Sequence, residues 1–198
     1  MGNLIIVAGL PASGKSSFAE YASCALHIPL ISKDSIKEVL FDYVGFKSHD
    51  EKTALNNASL FIMFYVARQI LKEDQDIILE NNFENNALDP LMTIISENEC
   101  NVISVLFTGE MEILYKRYIE RNCSTGRHRG HVLSDCYPEK EDIIKKPKPI
   151  SFSKYRRDFS ARGMNNFIVG ENNIIVDATD FKTVSYDQII NRIQEYLG

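Results

Sequence analysis

Residues 4–16, LIIVAGLPASGKS, decide how the rest of the chain is read. An apolar run from Leu4 to Ala8 leads into Gly9-Leu10-Pro11-Ala12-Ser13-Gly14-Lys15-Ser16, which meets G-x-x-x-x-G-K-[ST] at every fixed position. The residue types follow from the chemistry. Glycines let backbone N–H groups turn inward on phosphate oxygens, and the next helix presents its positive N-terminal end to the same point. Lys15 adds a point charge near the β- and γ-phosphates, and Ser16 a hydroxyl for the Mg²⁺ that travels with the nucleotide. The run from Gly9 to Ser16, with Ser17 behind it, is therefore the expected nucleotide contact.

Composition bounds the reading. A chain of 198 residues is expected to form one α/β domain over 1–198, with a lid or substrate-side insertion at about 122–150. Twenty-two basic against 27 acidic residues leave a net charge of −5, which argues against a general nucleic-acid or anionic-membrane binder while leaving room for a local basic patch. The longest apolar run, Leu60–Ala67, is too short to span a bilayer. No leader precedes the first strand, and Ile6 stands where a myristoylation signal needs Ser or Thr, so the expectation is a soluble, cytoplasmic protein without a membrane partner. Cys24, Cys100, Cys123 and Cys136 form no C-x-x-C pair and are expected as free thiols.

After the loop, apolar spacing predicts a helix over Ser16–Leu26, then a second strand at Ile28–Ile31. The strand ends in Ser32-Lys33-Asp34-Ser35-Ile36-Lys37-Glu38. Asp34 has two readings. Ser35 and Glu38 have capping-box spacing, and an acidic residue is favourable at a helix start. In open α/β sheets, however, ligands sit at the carboxyl ends of strands, where a carboxylate can accept a hydroxyl proton.

The pair GLPASGKS and ISKDSIKEVLFD resembles the P-loop kinase family that holds predicted small kinases, polynucleotide 5′-kinase, chloramphenicol phosphotransferase and the zeta toxins. The resemblance implies that Asp34 is the general base for the acceptor hydroxyl. It also puts Lys37 at a substrate contact where polynucleotide kinases usually carry Arg, and the two are not interchangeable at bidentate phosphate sites. The implied fold is a three-layer α/β P-loop NTPase with a parallel five-stranded sheet, order 2-3-1-4-5, and a helical lid.

Further along, a helix is predicted from about Thr53 to Lys72, its run Leu60–Ala67 assigned to core packing. Asp76-Ile77-Ile78-Leu79-Glu80 has Walker-B form, making Glu80 the candidate to hold Mg²⁺ with Ser16, directly or through water; alternatively it begins the next turn. A fourth strand at Val102–Phe107 precedes a helix at Met111–Asn122 carrying Arg117 and Arg121 on one face. Arg127-His128-Arg129-Gly130-His131 follows, similar to the R-H-x-G-H of lid segments in the resembling kinases. Guanidinium groups match the charge spread over a transferring phosphoryl group, so Arg121 and Arg127 are the leading catalytic arginines, ahead of Arg117 and Arg129. Cys123, His128, His131 and Cys136 are types that suit zinc, but their spacing fits none of the common zinc modules. A short helix is expected at Glu139–Lys145 between prolines, another at Ser153–Ala161 with Arg156 and Arg157 exposed, and a fifth strand at Ile174–Asp177. Asp177-Ala178-Thr179-Asp180-Phe181 is similar to the loop that wraps adenine in related kinases, with base contacts expected mostly from backbone. The last helix, about Tyr186–Leu197, covers the sheet.

The expected function is ATP-dependent transfer of a phosphoryl group, with Mg²⁺, to a hydroxyl of a small-molecule or nucleotide-like acceptor, with Lys15, Asp34, Arg121 and Arg127 as the catalytic set. A nucleic-acid 5′-hydroxyl and a non-catalytic ATP-binding regulator are the alternatives. The guanine-reading N-K-x-D motif is absent from the sequence, which favours ATP.

Overall fold

Strand β1 (Asn3–Gly9) is buried from Leu4 onward because it is the middle strand of a parallel sheet with helices on both faces. The computed structural model describes residues 1–139 and 149–197. In it, β1 pairs on one side with β3 (Ile77–Glu80) and on the other with β4 (Asn101–Thr108). The three-residue β2 (Leu30–Ser32) forms one edge beside β3, and β5 (Asn172–Asp177) the other beside β4, so the order is β2-β3-β1-β4-β5, as expected.

Strand periodicity divides the core in two. Ile5, Val7, Ile103, Val105 and Phe107 face α1 (Lys15–Leu26) and α8 (Tyr186–Leu197), which contribute Phe18, Ala22, Ile190 and Ile193. Leu4, Ile6, Leu79 and Leu106 face α3 (His49–Leu71) and α4 (Leu88–Asn98), with Met63, Phe64, Leu91 and Ile94. Two smaller clusters serve the site. Leu10 and Leu114 pack with Tyr155 and Phe159, joining α5 (Met111–Cys123) to α7 (Phe152–Ala161). Phe41, Phe46 and Leu133 join α2 (Lys33–Tyr43) to the segment around α6 (Arg129–Val132).

Three expectations change. The run Leu60–Ala67 is only partly core: Leu60, Met63, Phe64 and Ala67 are buried, whereas Phe61 and Tyr65 are 58% and 63% exposed, because a helix lying on a sheet turns one stripe inward. The second strand runs Leu30–Ser32 rather than Ile28–Ile31, and α2 begins at Lys33, so Ser35 and Glu38 form no capping box. Ser32 is the N-cap, with its hydroxyl directed elsewhere. All of the helix expected over Glu139–Lys145 except Glu139, together with Pro147, lies outside the described residues. Among the described residues no helix is long and apolar enough to cross a membrane.

Candidate active site

The loop between β1 and α1 is shaped by backbone conformations that side chains resist. Gly9 has φ 138°, and a Cβ there would lie 2.1 Å from the Phe107 carbonyl oxygen of β4. Gly14, at φ 86°, caps α1 and lies under the ring of Phe181, which a Cβ would approach to 3.0 Å. Leu10 is buried in the α5–α7 cluster, so the loop is anchored by its apolar member and turns its backbone outward.

The charged centre is assembled by register. Parallel pairing sets Glu80 beside Val7 of β1 and beside Ser32 of β2, bringing the last residue of β3 under the loop. Glu80 is 3% exposed, and each of its oxygens accepts a hydroxyl. Its Oε1 accepts from the Ser16 hydroxyl at 3.0 Å and lies 3.7 Å from Lys15 Nζ, while its Oε2 accepts from the Ser32 hydroxyl at 2.7 Å. Burial pushes the Lys15 amine below its ordinary pKa; Glu80 opposes this, and the charges of Arg121 and Arg127 reinforce it.

A cavity of about 410 Å³ opens beside this centre, between α1, β2 and the start of α2. Ser16, Glu80, Asp34, Arg121 and Arg127 all line it, so the phosphate-loop serine, two carboxylates and two guanidinium groups share one space. Asp34 is in the first turn of α2. Its Oδ1 receives Lys37 Nζ at 2.7 Å and its Oδ2 faces Arg127 Nη2 at 3.5 Å. Desolvation raises the Asp34 carboxyl, but Lys37, His131 and Arg127 together outweigh it and hold the group well below the usual carboxylate range. Three buried polar atoms here have no hydrogen-bond partner among the described residues: Ser13 Oγ, Arg121 Nε and Arg127 Nε. Buried donors without partners are costly, and these three surround a loop built to receive anionic oxygens.

The other sequence candidates separate. Arg117 donates to the carbonyls of Ala178 and Thr179, at 2.5 and 2.8 Å, and stacks 3.8 Å from the Phe181 ring centroid. Arg129 forms a bidentate pair with Glu139 at 2.7 and 2.8 Å. His128 Nδ1 accepts from the Gly130 amide, so its Nε2 carries the hydrogen shared with Asp42 at 3.0 Å. His131 Nε2 meets Glu38 Oε1 at 2.8 Å. With both imidazoles so engaged, no three His, Cys, Asp or Glu side chains among the described residues converge as a metal group, and the cysteines there are free.

Across residues 4–133 the sequence matches the model of a family described as an AAA domain. The chain belongs to that family. A candidate kinase from Chloroflexus aurantiacus superposes on this AAA domain with TM-score 0.81 at 22% identity, covering 100% of this chain and 99% of that one. Kti12 from Chaetomium thermophilum, solved with ADP-AlF3, gives 0.59 at 17% identity, covering 98% and 99%. The APS kinase CysC of Mycobacterium tuberculosis, solved with AMPPNP and APS, gives 0.55 at 14% identity, covering 99% and 97%. At these identities the likeness is one of fold, a five-stranded parallel sheet with the phosphate loop on its central strand. A search of curated proteins found no match.

Sequence reasoning missed Ser32, whose hydroxyl fixes Glu80, and Lys33, which is 6% exposed, donates to Asn56 Oδ1 at 2.9 Å and is lowered to about 8, chiefly by burial. Both stand in ISKDSIKEVLFD, directly before Asp34, but the resemblance assigns neither a role. Their position at the carboxyl end of an edge strand was the signal that could have found them.

Proposed function

We propose that this AAA domain is an ATP-dependent phosphotransferase that moves the γ-phosphoryl group to a hydroxyl of a small-molecule or nucleotide-like acceptor. The observation that carries this reading is Asp34: a carboxylate held ionised by Lys37 and Arg127 in one cavity with the phosphate-loop serine and two arginines. The loop backbone and Lys15 bind the β- and γ-phosphates, and the Nε atoms of Arg121 and Arg127, without a partner among the described residues, donate to the transferring group. Arg127 then leaves Asp34 for the phosphate. Losing that cation raises the basicity of Asp34 as the acceptor hydroxyl comes within reach, so proton acceptance is coupled to nucleotide binding.

Ser16 and Glu80 suit Mg²⁺, since both are hard oxygen donors beside the loop and the Ser16 hydroxyl gives its hydrogen to Glu80, leaving its lone pairs for a cation. The metal, when bound, neutralises charge on the phosphate oxygens. Lys37, Arg127 and Arg129 all have intramolecular carboxylate partners, which leaves less positive surface for a polynucleotide backbone and supports a small acceptor.

Asp34→Asn tests the reading. With labelled ATP and a panel of alcohols, sugars, antibiotics, nucleosides and oligonucleotides, the variant keeps nucleotide affinity while turnover on the accepted compound falls by roughly 100-fold or more. Unchanged turnover removes Asp34 from the base role. ATP binding with no product across the whole panel favours the regulatory alternative, and product only from oligonucleotides favours the polynucleotide one.

A further inference from the structure

Tyr155 of α7 is completely buried, yet its hydroxyl has no hydrogen-bond partner among the described residues. A phenylalanine would fill the same space without the cost of a desolvated, unpaired hydroxyl. The oxygen cannot swing away to find a partner either. The ring packs against Tyr115, Tyr118 and Phe159, with centroids 5.4, 5.5 and 4.5 Å away, and shares its cluster with Leu10 of the phosphate loop. Burial first, then Tyr118, pushes the phenol above its ordinary pKa, so it stays neutral; the charge that opposes them is Arg121.

The neighbourhood of Arg121 follows from helix α5. Leu114, Tyr118 and Arg121 stand at i, i+4 and i+7 and so share one face. Leu114 lies in the Tyr155 cluster and Tyr118 packs on the Tyr155 ring, which carries the face on to Arg121. Arg121 lines the cavity that holds Asp34 and Glu80, whereas Tyr155 does not, so the phenol acts from behind the guanidinium. Unlike Arg127 and Arg129, Arg121 forms no carboxylate pair among the described residues, and its Nε is buried without a partner there. A guanidinium has five N–H donors on a long flexible stem, and a fixed acceptor behind it removes much of that freedom. We infer that Tyr155 is a positioning residue for Arg121: with the γ-phosphoryl group bound, the phenol oxygen accepts from a terminal Nη of Arg121 and aims its Nε at that group. This role for Tyr155 rests on the phosphotransferase reading, in which Arg121 meets the transferring group.

The test is displacement of N-methylanthraniloyl-ADP from the full chain by ADP and by AMPPNP, with Mg²⁺, for the wild type, Tyr155→Phe, Arg121→Met and the double variant. The ratio of the two affinities isolates what the γ-phosphoryl group gains. Tyr155→Phe lowers the AMPPNP:ADP ratio by about fivefold or more, leaves ADP affinity within about twofold, and unfolds in urea at or above the wild-type midpoint, since it sheds an unpaired hydroxyl. In the Arg121→Met background the same substitution changes the ratio by less than about twofold, because its effect passes through the arginine. A ratio within about twofold of wild type in Tyr155→Phe overturns the inference, as does a parallel loss of ADP affinity, a lower urea midpoint, or an undiminished effect without Arg121. Each of these leaves the phosphotransferase reading standing. An Arg121→Met ratio equal to that of the wild type instead takes Arg121 from the transferring group, and with it the role of Tyr155. Failure of the probe and both nucleotides to bind the wild type overturns the phosphotransferase reading itself.

Discussion

His131 shows how one side chain ties the site to solution conditions. Its side chain is 5% exposed, and burial pushes the imidazole far below its ordinary pKa; Asp34 opposes this, while Lys37, Arg127 and His128 reinforce it. The folded protein therefore holds His131 neutral, donating to Glu38, while the unfolded chain takes up a proton as the pH falls through about 6.5. Stability from this group is present above that value and lost below it. Relative to His131→Gln, the unfolding free energy of the wild type falls by roughly 1 kcal/mol per pH unit between pH 6 and 4.5, measured from urea midpoints. Parallel curves for the two proteins would show that His131 titrates normally. Nothing around His131 in the sequence reveals its environment, because Glu38 and Phe41 reach it across 93 and 90 positions. Lys15 and Ser16, by contrast, are legible from eight consecutive residues, since a loop that binds with its backbone must encode its shape locally.

At the scale of elements, helix α6 is held on α2 by close packing. A Cβ at Gly130 would lie 2.3 Å from Phe41 Cδ2, and Phe41 is completely buried among Phe46, His131 and Tyr137. The Lys52 amine adds to this by donating to the carbonyls of His131 and Leu133. Gly130→Ala is expected to cost about 1–3 kcal/mol and to speed tryptic cleavage at Arg127 as the segment lifts. Unaltered cleavage would mean that Phe41 yields without releasing α6. Strands and long helices were readable to within a few residues, because period-2 and period-3.6 patterns are local consequences of a two-sided sheet. The pairing of α6 with α2 was not readable, since four residues of helix carry no periodicity.

For the molecule as a whole, the sheet order was implied by the kinase resemblance alone, since periodicity marks strands without saying which lie side by side. The depth of the α1–α8 layer emerges only from packing. Ile193 is completely buried in the cluster between the sheet and the α1–α8 layer, and Ile193→Ala is expected to lower stability by about 2–4 kcal/mol in urea unfolding. A loss under about 1 kcal/mol would show that α8 collapses onto the gap.

The position of β5 has a consequence for colloidal behaviour. The two edges of the sheet are unequal: β2 offers three residues, whereas β5 offers six, NNIIVD, with Ile175 61% exposed and only Asp177 bearing charge. Its inward side chains, Ile174 and Val176, are sealed by α8. Any change that loosens α8 unmasks an apolar, β-prone ribbon already at an open edge, where a second chain can add without disturbing the other four strands. Self-association then begins at β5, with the nucleotide-binding loop on the central strand β1 still folded.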